Sequence, residues 1–219
     1  MFKSLLRVYR EKTVTEFLVT EFLSMVENAR KMFVYSHDSL KDVSMQEKAS
    51  EAIYLADRSI NMSERDIRKR ILIHIKTVPE CNLPAHLVFV SIIKDAERLG
   101  DYVKNCYELK SMLKDMDSDR EMLLKLYDDF APDILNLFDN TLKAIQDSDK
   151  TIGMKVMEDG RSISKACQDL IEKSVDSDAK TRYVVVTVLA ARYFKRISLH
   201  LSNIASSVVN PLPEVDYSL

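Results

Sequence analysis

The chain has 219 residues, of which 46% are hydrophobic, with three glycines, five prolines and no tryptophan. Its 32 basic and 34 acidic residues give a formal net charge of −2. This composition supplies enough apolar material for one large helical domain or two small ones. The absence of a dense basic block interleaved with aromatics argues against a nucleic-acid binder.

The sequence also gives little support for a membrane-spanning segment or for disulfide bonds. The longest apolar run, residues 184–191, is interrupted by Thr187 and is too short to span a membrane. The first residues lack the apolar core and cleavage site of a signal peptide. The three cysteines, Cys81, Cys106 and Cys167, form no CxxC pair, so we expect reduced thiols in the cytoplasm that serve as small core residues.

Helical periodicity predicts six helices in chain order. Pro84 suits the first turn of the third helix, whereas Pro132 predicts a kink or restart within the fourth. No segment shows strand alternation bounded by hairpin turns, and short connections predict antiparallel packing of successive helices in an all-α protein. The predicted helices span residues 13–36, 44–78, 84–115, 118–145, 149–175 and 179–209.

The chain repeats at an offset of about half its length. Residues 98–100 and Asn105 in the third helix align with residues 196–198 and Asn203 in the sixth. Because the order of helices repeats as well, we predict two three-helix units. These units are residues 1–116 and residues 117–219.

The third helix carries a pair of acids beside a glycine. Glu97 and Asp101 are four residues apart, so they share one helix face at the edge of the apolar stripe. The pattern fits solvated acids paired with Lys94 or Arg98. Gly100 between them leaves a gap that equally suits a close helix contact or a bound cation.

The second helix repeats this acidic layout. Asp57, Asn61 and Glu64 fall on one face through spacings of four and three. If the second and third helices are antiparallel neighbours, their carboxylates meet and repel unless they are protonated or bridged by a cation. Oxygen ligands of this kind suit Mg, Ca, Mn or Fe. The alternative is a solvated seam in which these acids pair with neighbouring arginines.

The second half of the chain departs from this chemistry. Lys195 stands at the position of Glu97, and Leu199 stands at the position of Asp101. We therefore expect no cation site there. The four histidines are dispersed: His37 is interpreted as a helix-end residue and His74, His86 and His200 as packing residues. The sequence contains no GxSxG, Walker or HExxH motif. A metal-dependent phosphoester hydrolase with Glu97 as base is the least favoured alternative.

The motifs together resemble the PhoU family. Residues 97–105 resemble its signature Glu-Arg-Ile-Gly-Asp-x-x-x-Asn, and residues 57–68 resemble its second-helix pattern. Residues 196–205 look like the second copy. The resemblance implies six helices in two three-helix bundles, often dimeric, and a cytoplasmic protein that is at most peripheral to the membrane.

The resemblance also implies a regulator of phosphate uptake and phosphate-starvation signalling rather than an enzyme. Proteins of this family act with the cytoplasmic subunit of a phosphate transporter, with the histidine kinase of the phosphate response, or with both. The alternative within this reading is an accessory subunit of an ion-coupled phosphate transporter.

Metal binding is a further implication of the resemblance, because the family's E(D)-x-x-x-D motifs can hold metal, including iron or zinc clusters. Glu97 and Asp101 match this motif fully, and Asp57 matches it with Asn61 in the last place. With Glu64, these residues are the expected ligands of a metal ion (Fe, Zn, Mn or Mg) in the first repeat, and none is expected in the second.

Overall fold

Six α-helices make up most of the computed structural model, which describes residues 2–78, 80–113 and 118–210. No strand occurs within these ranges, and the predicted all-α fold with six helices is confirmed. No helix among them is long and apolar enough to cross a membrane. The helices are α1 (Phe2–Lys41), α2 (Gln46–Thr77), α3 (Leu83–Glu108), α4 (Ser118–Asp147), α5 (Lys150–Val175) and α6 (Thr181–Val209).

The first helix extends beyond its predicted range of 13–36 at both ends. At the C-terminal end, polar side chains at the predicted boundary contact α4. Ser36 Oγ lies 2.6 Å from Tyr127 Oη, and His37 Nε2 lies 2.7 Å from Asp128 Oδ1. Polar side chains on an inner helix face are stable when they are hydrogen-bonded, so α1 continues to Lys41. α4 likewise runs through Pro132, where a restart was one of two expectations.

Short connections between α2 and α3 and between α4 and α5 depend on side-chain caps. Asn82 Oδ1 accepts a hydrogen bond from the backbone N–H of Ala85 at the start of α3. Asp149 Oδ1 accepts from the N–H groups of Thr151 and Ile152 at the start of α5. Caps of this kind satisfy amides that the first helical turn leaves without partners, and they let each helix pair turn back sharply.

The packing joins two sets of three helices through one core. α1, α2 and α3 contact one another, as do α4, α5 and α6, and the sets meet through α3 with α6 and α1 with α4. Phe33 packs on Tyr127 and Phe194, with ring centroids 5.4 and 5.9 Å apart. The predicted division between residues 116 and 117 lies outside the described residues and stays a prediction.

The contacts between α3 and α6 follow an approximate two-fold symmetry that relates the two repeats. At the repeat offset of 98 residues, Asp95 corresponds to Tyr193 and Tyr102 corresponds to His200. Asp95 contacts His200, and Tyr102 contacts Tyr193 with ring centroids 6.2 Å apart. Each contact is therefore the symmetry counterpart of the other, as in an isologous interface.

Candidate functional site

The acids predicted on α2 and α3 lie along one seam between these helices. A Cβ placed on Gly100 would stand 3.0 Å from Ile60 Cδ1, so the glycine permits the close helix approach that was one of its two interpretations. Carboxylates from the two helices then meet in two groups, and each group contacts a lysine. We call the predicted acids, together with the asparagine between them, the acidic seam: Asp57, Asn61, Glu64, Glu97 and Asp101.

Lys104 lies at one end of the acidic seam. Its Nζ donates to Asp57 Oδ1 at 2.9 Å and lies 3.5 Å from Asp101 Oδ1. Burial lowers the pKa of Lys104, but the hydrogen bond and the charges of the two carboxylates outweigh that effect and leave the pKa raised. Lys104 is therefore charged at neutral pH and offsets one of the two carboxylate charges at this end.

Lys94 occupies the other end. Its Nζ lies 2.7 Å from Glu97 Oε2 and 3.8 Å from Glu64 Oε1, and Arg68 Nη2 lies 2.9 Å from the same Glu64 oxygen. The Glu64 and Glu97 side chains are 11% and 13% exposed, whereas that of Lys94 is 44% exposed. The predicted pairing of Glu97 with Lys94 is present, and the cation approaches the two acids from the solvent side.

The polar groups of the seam partly fit a metal ion. Glu64 Oε1 and Glu97 Oε2 are buried and accept no well-aligned hydrogen bond among the described residues, even though Lys94 is close to both. Carboxylate oxygens in this state suit a cation. Asn61 Nδ2 donates to Asp57 O at 3.0 Å, which leaves its Oδ1 as the possible metal-binding atom.

Other features of the seam oppose an ion in its present arrangement. Within the described parts of the chain, the seam contains no three carboxylates whose oxygens lie within 4.8 Å of one another. Lys94 and Lys104 already supply positive charge. An ion held by these acids requires the two lysines, and Arg68 beside Glu64, to move. Metal binding in the seam stays a prediction.

At the corresponding position of the second repeat, a lysine paired with a glutamine takes the place of the acid. Lys195 Nζ donates to Gln168 Oε1 on α5 at 2.9 Å. Leu199 lies half-buried where the first repeat has Asp101. The two repeats thus place different chemistry at equivalent points of one fold.

A second group of ligand-type side chains lies at the turn between α2 and α3. His74, Cys81 and His86 each offer one nitrogen or sulfur atom, and these atoms lie within 4.8 Å of one another. Sequence reasoning assigned these residues to packing because they form no familiar metal motif. The signal was their placement, since two histidines and a cysteine flank a predicted helix–helix turn that folds the chain back on itself.

Comparison with known proteins places the acidic seam in a recognised domain. Residues 22–109 match the family model of the PhoU domain, which confirms the resemblance that the motifs indicated. The crystal structure of PhoU from Pseudomonas aeruginosa is similar to this chain with a TM-score of 0.77 and 18% identity, over 90% of this chain and 96% of that chain. No curated protein matches the sequence.

Proposed function

We propose that this chain, which contains a PhoU domain and has the PhoU fold, regulates phosphate uptake and the phosphate-starvation response. The match of residues 22–109 to the PhoU domain carries the proposal. The protein acts in the cytoplasm, at most peripherally to the membrane, by protein contact rather than by turnover. Its partners are the cytoplasmic ATPase subunit of a phosphate transporter, the histidine kinase of the phosphate response, or both.

The outer face of α2 supports a role in partner contact. Leu55, Met62 and Leu72 are 56%, 63% and 59% exposed, and basic residues at helical spacing separate them. Exposed apolar residues with a charged surround are typical of protein interaction sites. A partner with an acidic, partly apolar surface complements this face. We call it the outer stripe: Leu55, Arg58, Met62, Arg65, Lys69, Leu72 and Lys76.

Binding of the purified transporter ATPase subunit and of the kinase cytoplasmic domain tests the proposal. The double variant Arg65→Glu/Lys69→Glu is expected to weaken binding at least about tenfold, because charge complementarity across an interface is reversed. Lys155→Glu/Lys165→Glu makes the same charge change at exposed positions of α5 and serves as the control. Failure of the unaltered chain to bind either protein would contradict the proposal.

Two other outcomes separate this role from its rivals. Binding to an ion-coupled phosphate transporter, with no binding to an ATPase subunit or kinase, would make the chain an accessory subunit of that transporter. Turnover of a phosphoester that is abolished by Glu97→Ala would make it an enzyme. We further propose a homodimer, for which molar mass in solution is the direct test.

The acidic seam is proposed as a regulatory cation site of the first repeat. Glu64 and Glu97 supply buried oxygens without aligned hydrogen bonds, while Lys94 is exposed enough to swing into solvent. Asp57, Asn61 and Asp101 extend the set of oxygen ligands toward Lys104. Binding a cation there exchanges a lysine for a metal ion and changes the surface that α2 and α3 share.

A further inference from the structure

We propose that His74, Cys81 and His86 bind one transition-metal ion of the zinc class at the turn between α2 and α3. Their ligand atoms lie within 4.8 Å of one another, and both histidines are 6% exposed. His74 is ten residues beyond Glu64, which corresponds to about 15 Å along α2. The site is therefore separate from the acidic seam and does not depend on the function proposed above.

The two imidazoles already face each other through the atoms that would bind the metal. His74 Nδ1 lies 2.9 Å from His86 Nε2. Nitrogen ligands at the usual zinc distance are about 3.3 Å apart in a tetrahedral site. Small rotations of the two rings would separate these nitrogens by the few tenths of an ångström that an ion between them requires.

A second hydrogen bond selects the tautomer of His86 that a metal requires. His86 Nδ1 lies 2.6 Å from the main-chain oxygen of Asn82. Because a carbonyl oxygen only accepts, Nδ1 carries the proton and Nε2 keeps its lone pair, which accepts from His74 Nδ1–H. Binding a metal through His74 Nδ1 therefore requires that proton to move to His74 Nε2, the other tautomer of the neutral ring. Metal-binding histidines characteristically donate their other ring N–H to a carbonyl or carboxylate in this way. Asn82 is itself held in place as the cap of α3.

The donor set determines the class of ion. Two imidazoles and one thiolate favour Zn²⁺ over Mg²⁺ or Ca²⁺, which prefer oxygen. Cys81 is half-buried, so an ion can reach its sulfur, and the thiol releases its proton on binding. The sequence distance between the histidines is short, but they belong to different helices, and the ion would join α2 to α3.

An adjoining cavity leaves room for a fourth ligand. It has a volume of about 210 Å³ and is lined by His74 and His86 together with Thr15, Leu18 and Phe89. A water molecule needs only about 10–15 Å³ of such volume. Three protein ligands with water in the fourth position is a common arrangement for zinc.

Cobalt titration of the full-length reduced protein tests the site, because Co²⁺ reports on thiolate ligation by its charge-transfer absorption. We expect one equivalent to bind with such a band and Zn²⁺ to displace it. Cys81→Ser should abolish the band. His86→Gln should weaken Co²⁺ binding by more than about 100-fold. Loss of a residue that only orients a metal ligand typically costs about 10–100-fold, so a larger effect marks a direct ligand. The seam variant Glu97→Gln/Asp101→Asn should leave the charge-transfer band and the affinity for Co²⁺ unchanged.

Thiol protection provides a test without substitutions. Zn²⁺ should slow the reaction of Cys81 with a thiol reagent, whereas Cys106 and Cys167 are buried and should react only after unfolding. Absence of a thiolate band in the unaltered protein, or its persistence in folded Cys81→Ser, would overturn the proposal. Equal reactivity of Cys81 with and without Zn²⁺ would overturn it as well.

Discussion

Asp95 on α3 and His200 on α6 connect the two halves of the molecule. Asp95 Oδ1 lies 2.6 Å from His200 Nδ1 and accepts a second hydrogen bond from Asn203 Nδ2 at 3.2 Å. The Tyr102 ring stacks on the His200 ring, with centroids 5.5 Å apart. The contact joins α3 to α6 across the pseudo-two-fold interface.

Loss of this contact should destabilise the whole fold. Asp95→Ala removes the shared acceptor and leaves His200 and Asn203 without it, which should lower the free energy of unfolding by about 1–3 kcal/mol. Urea denaturation of the single variants and of Asp95→Ala/His200→Ala measures their coupling, expected at about 0.5–3 kcal/mol for residues in contact. Purely additive losses would show that the pair contributes no interaction of its own.

Close helix contact in the second repeat should make Gly160 less tolerant of substitution by alanine than Gly100. A Cβ on Gly160 would overlap Ser202 Oγ and stand 3.1 Å from the main-chain oxygen of Ser198, whereas one on Gly100 is close only to the Ile60 side chain, with its terminal Cδ1 nearest at 3.0 Å. Gly160→Ala should therefore lower the free energy of unfolding by up to about 2 kcal/mol, since an overpacking cost of about 1–3 kcal/mol exceeds the gain of about 1 kcal/mol in helix propensity.

Gly100→Ala is the matched comparison, because the Ile60 side chain can rotate. Its unfolding free energy should lie within about 1 kcal/mol of the unaltered protein, since the propensity gain offsets the tighter contact. Urea denaturation of both variants decides the order. Equal losses at the two glycines would contradict the difference that their surroundings predict.

Periodicity predicts the six helices, though not all of their ends, and the acids that share a face of α2 or of α3, because helical spacing fixes which residues lie on one side. The meeting of the two acidic faces in one seam is conditional on α2 and α3 packing as neighbours, which they do. The pairing of Glu97 with Lys94 was also predictable, since three residues separate them. The contact of Lys104 with Asp57 depends on how α2 and α3 dock, and the grouping of His74 with His86 depends on the turn between them. Neither can be obtained from spacing within one helix.

The raised pKa of Lys104 predicts how the acidic seam responds to alkaline pH. A lysine whose pKa is higher in the folded than in the unfolded protein stabilises the fold fully below the unfolded value of about 10.4. That contribution disappears as the pH rises through the folded value. Lys104→Met should therefore be less stable than the unaltered protein at neutral pH, and the difference should shrink above about pH 10.4.

Chemical denaturation at a series of pH values measures this difference. Lys155→Met removes an exposed cation on α5 and controls for the general effect of charge at high pH. Subtracting its profile isolates the contribution of Lys104. A gap between Lys104→Met and the unaltered protein that widens with rising pH would contradict the assigned role of the ammonium group.

Competition between Lys94 and a metal ion gives a direct test of the acidic seam. Lys94 Nζ neutralises Glu97 at 2.7 Å and lies near Glu64, so a cation that uses these oxygens must displace it. Lys94→Met removes the cation that contacts both acids and leaves Arg68 beside Glu64. We expect Mn²⁺, which prefers oxygen, to bind at least tenfold more tightly to this variant, a difference of about 1.4 kcal/mol.

The metal content of native protein and Mn²⁺ titration should be compared across three proteins, namely the unaltered chain, Lys94→Met, and Glu97→Gln/Asp101→Asn. Carrying Cys81→Ser in all three removes the thiolate of the second cluster from the measurement. Binding that strengthens in Lys94→Met and is lost in the double variant assigns the ion to the seam. Unchanged affinity in Lys94→Met, or metal retained by the double variant, would contradict a cation site in the seam and leave its acids as partners of basic side chains only.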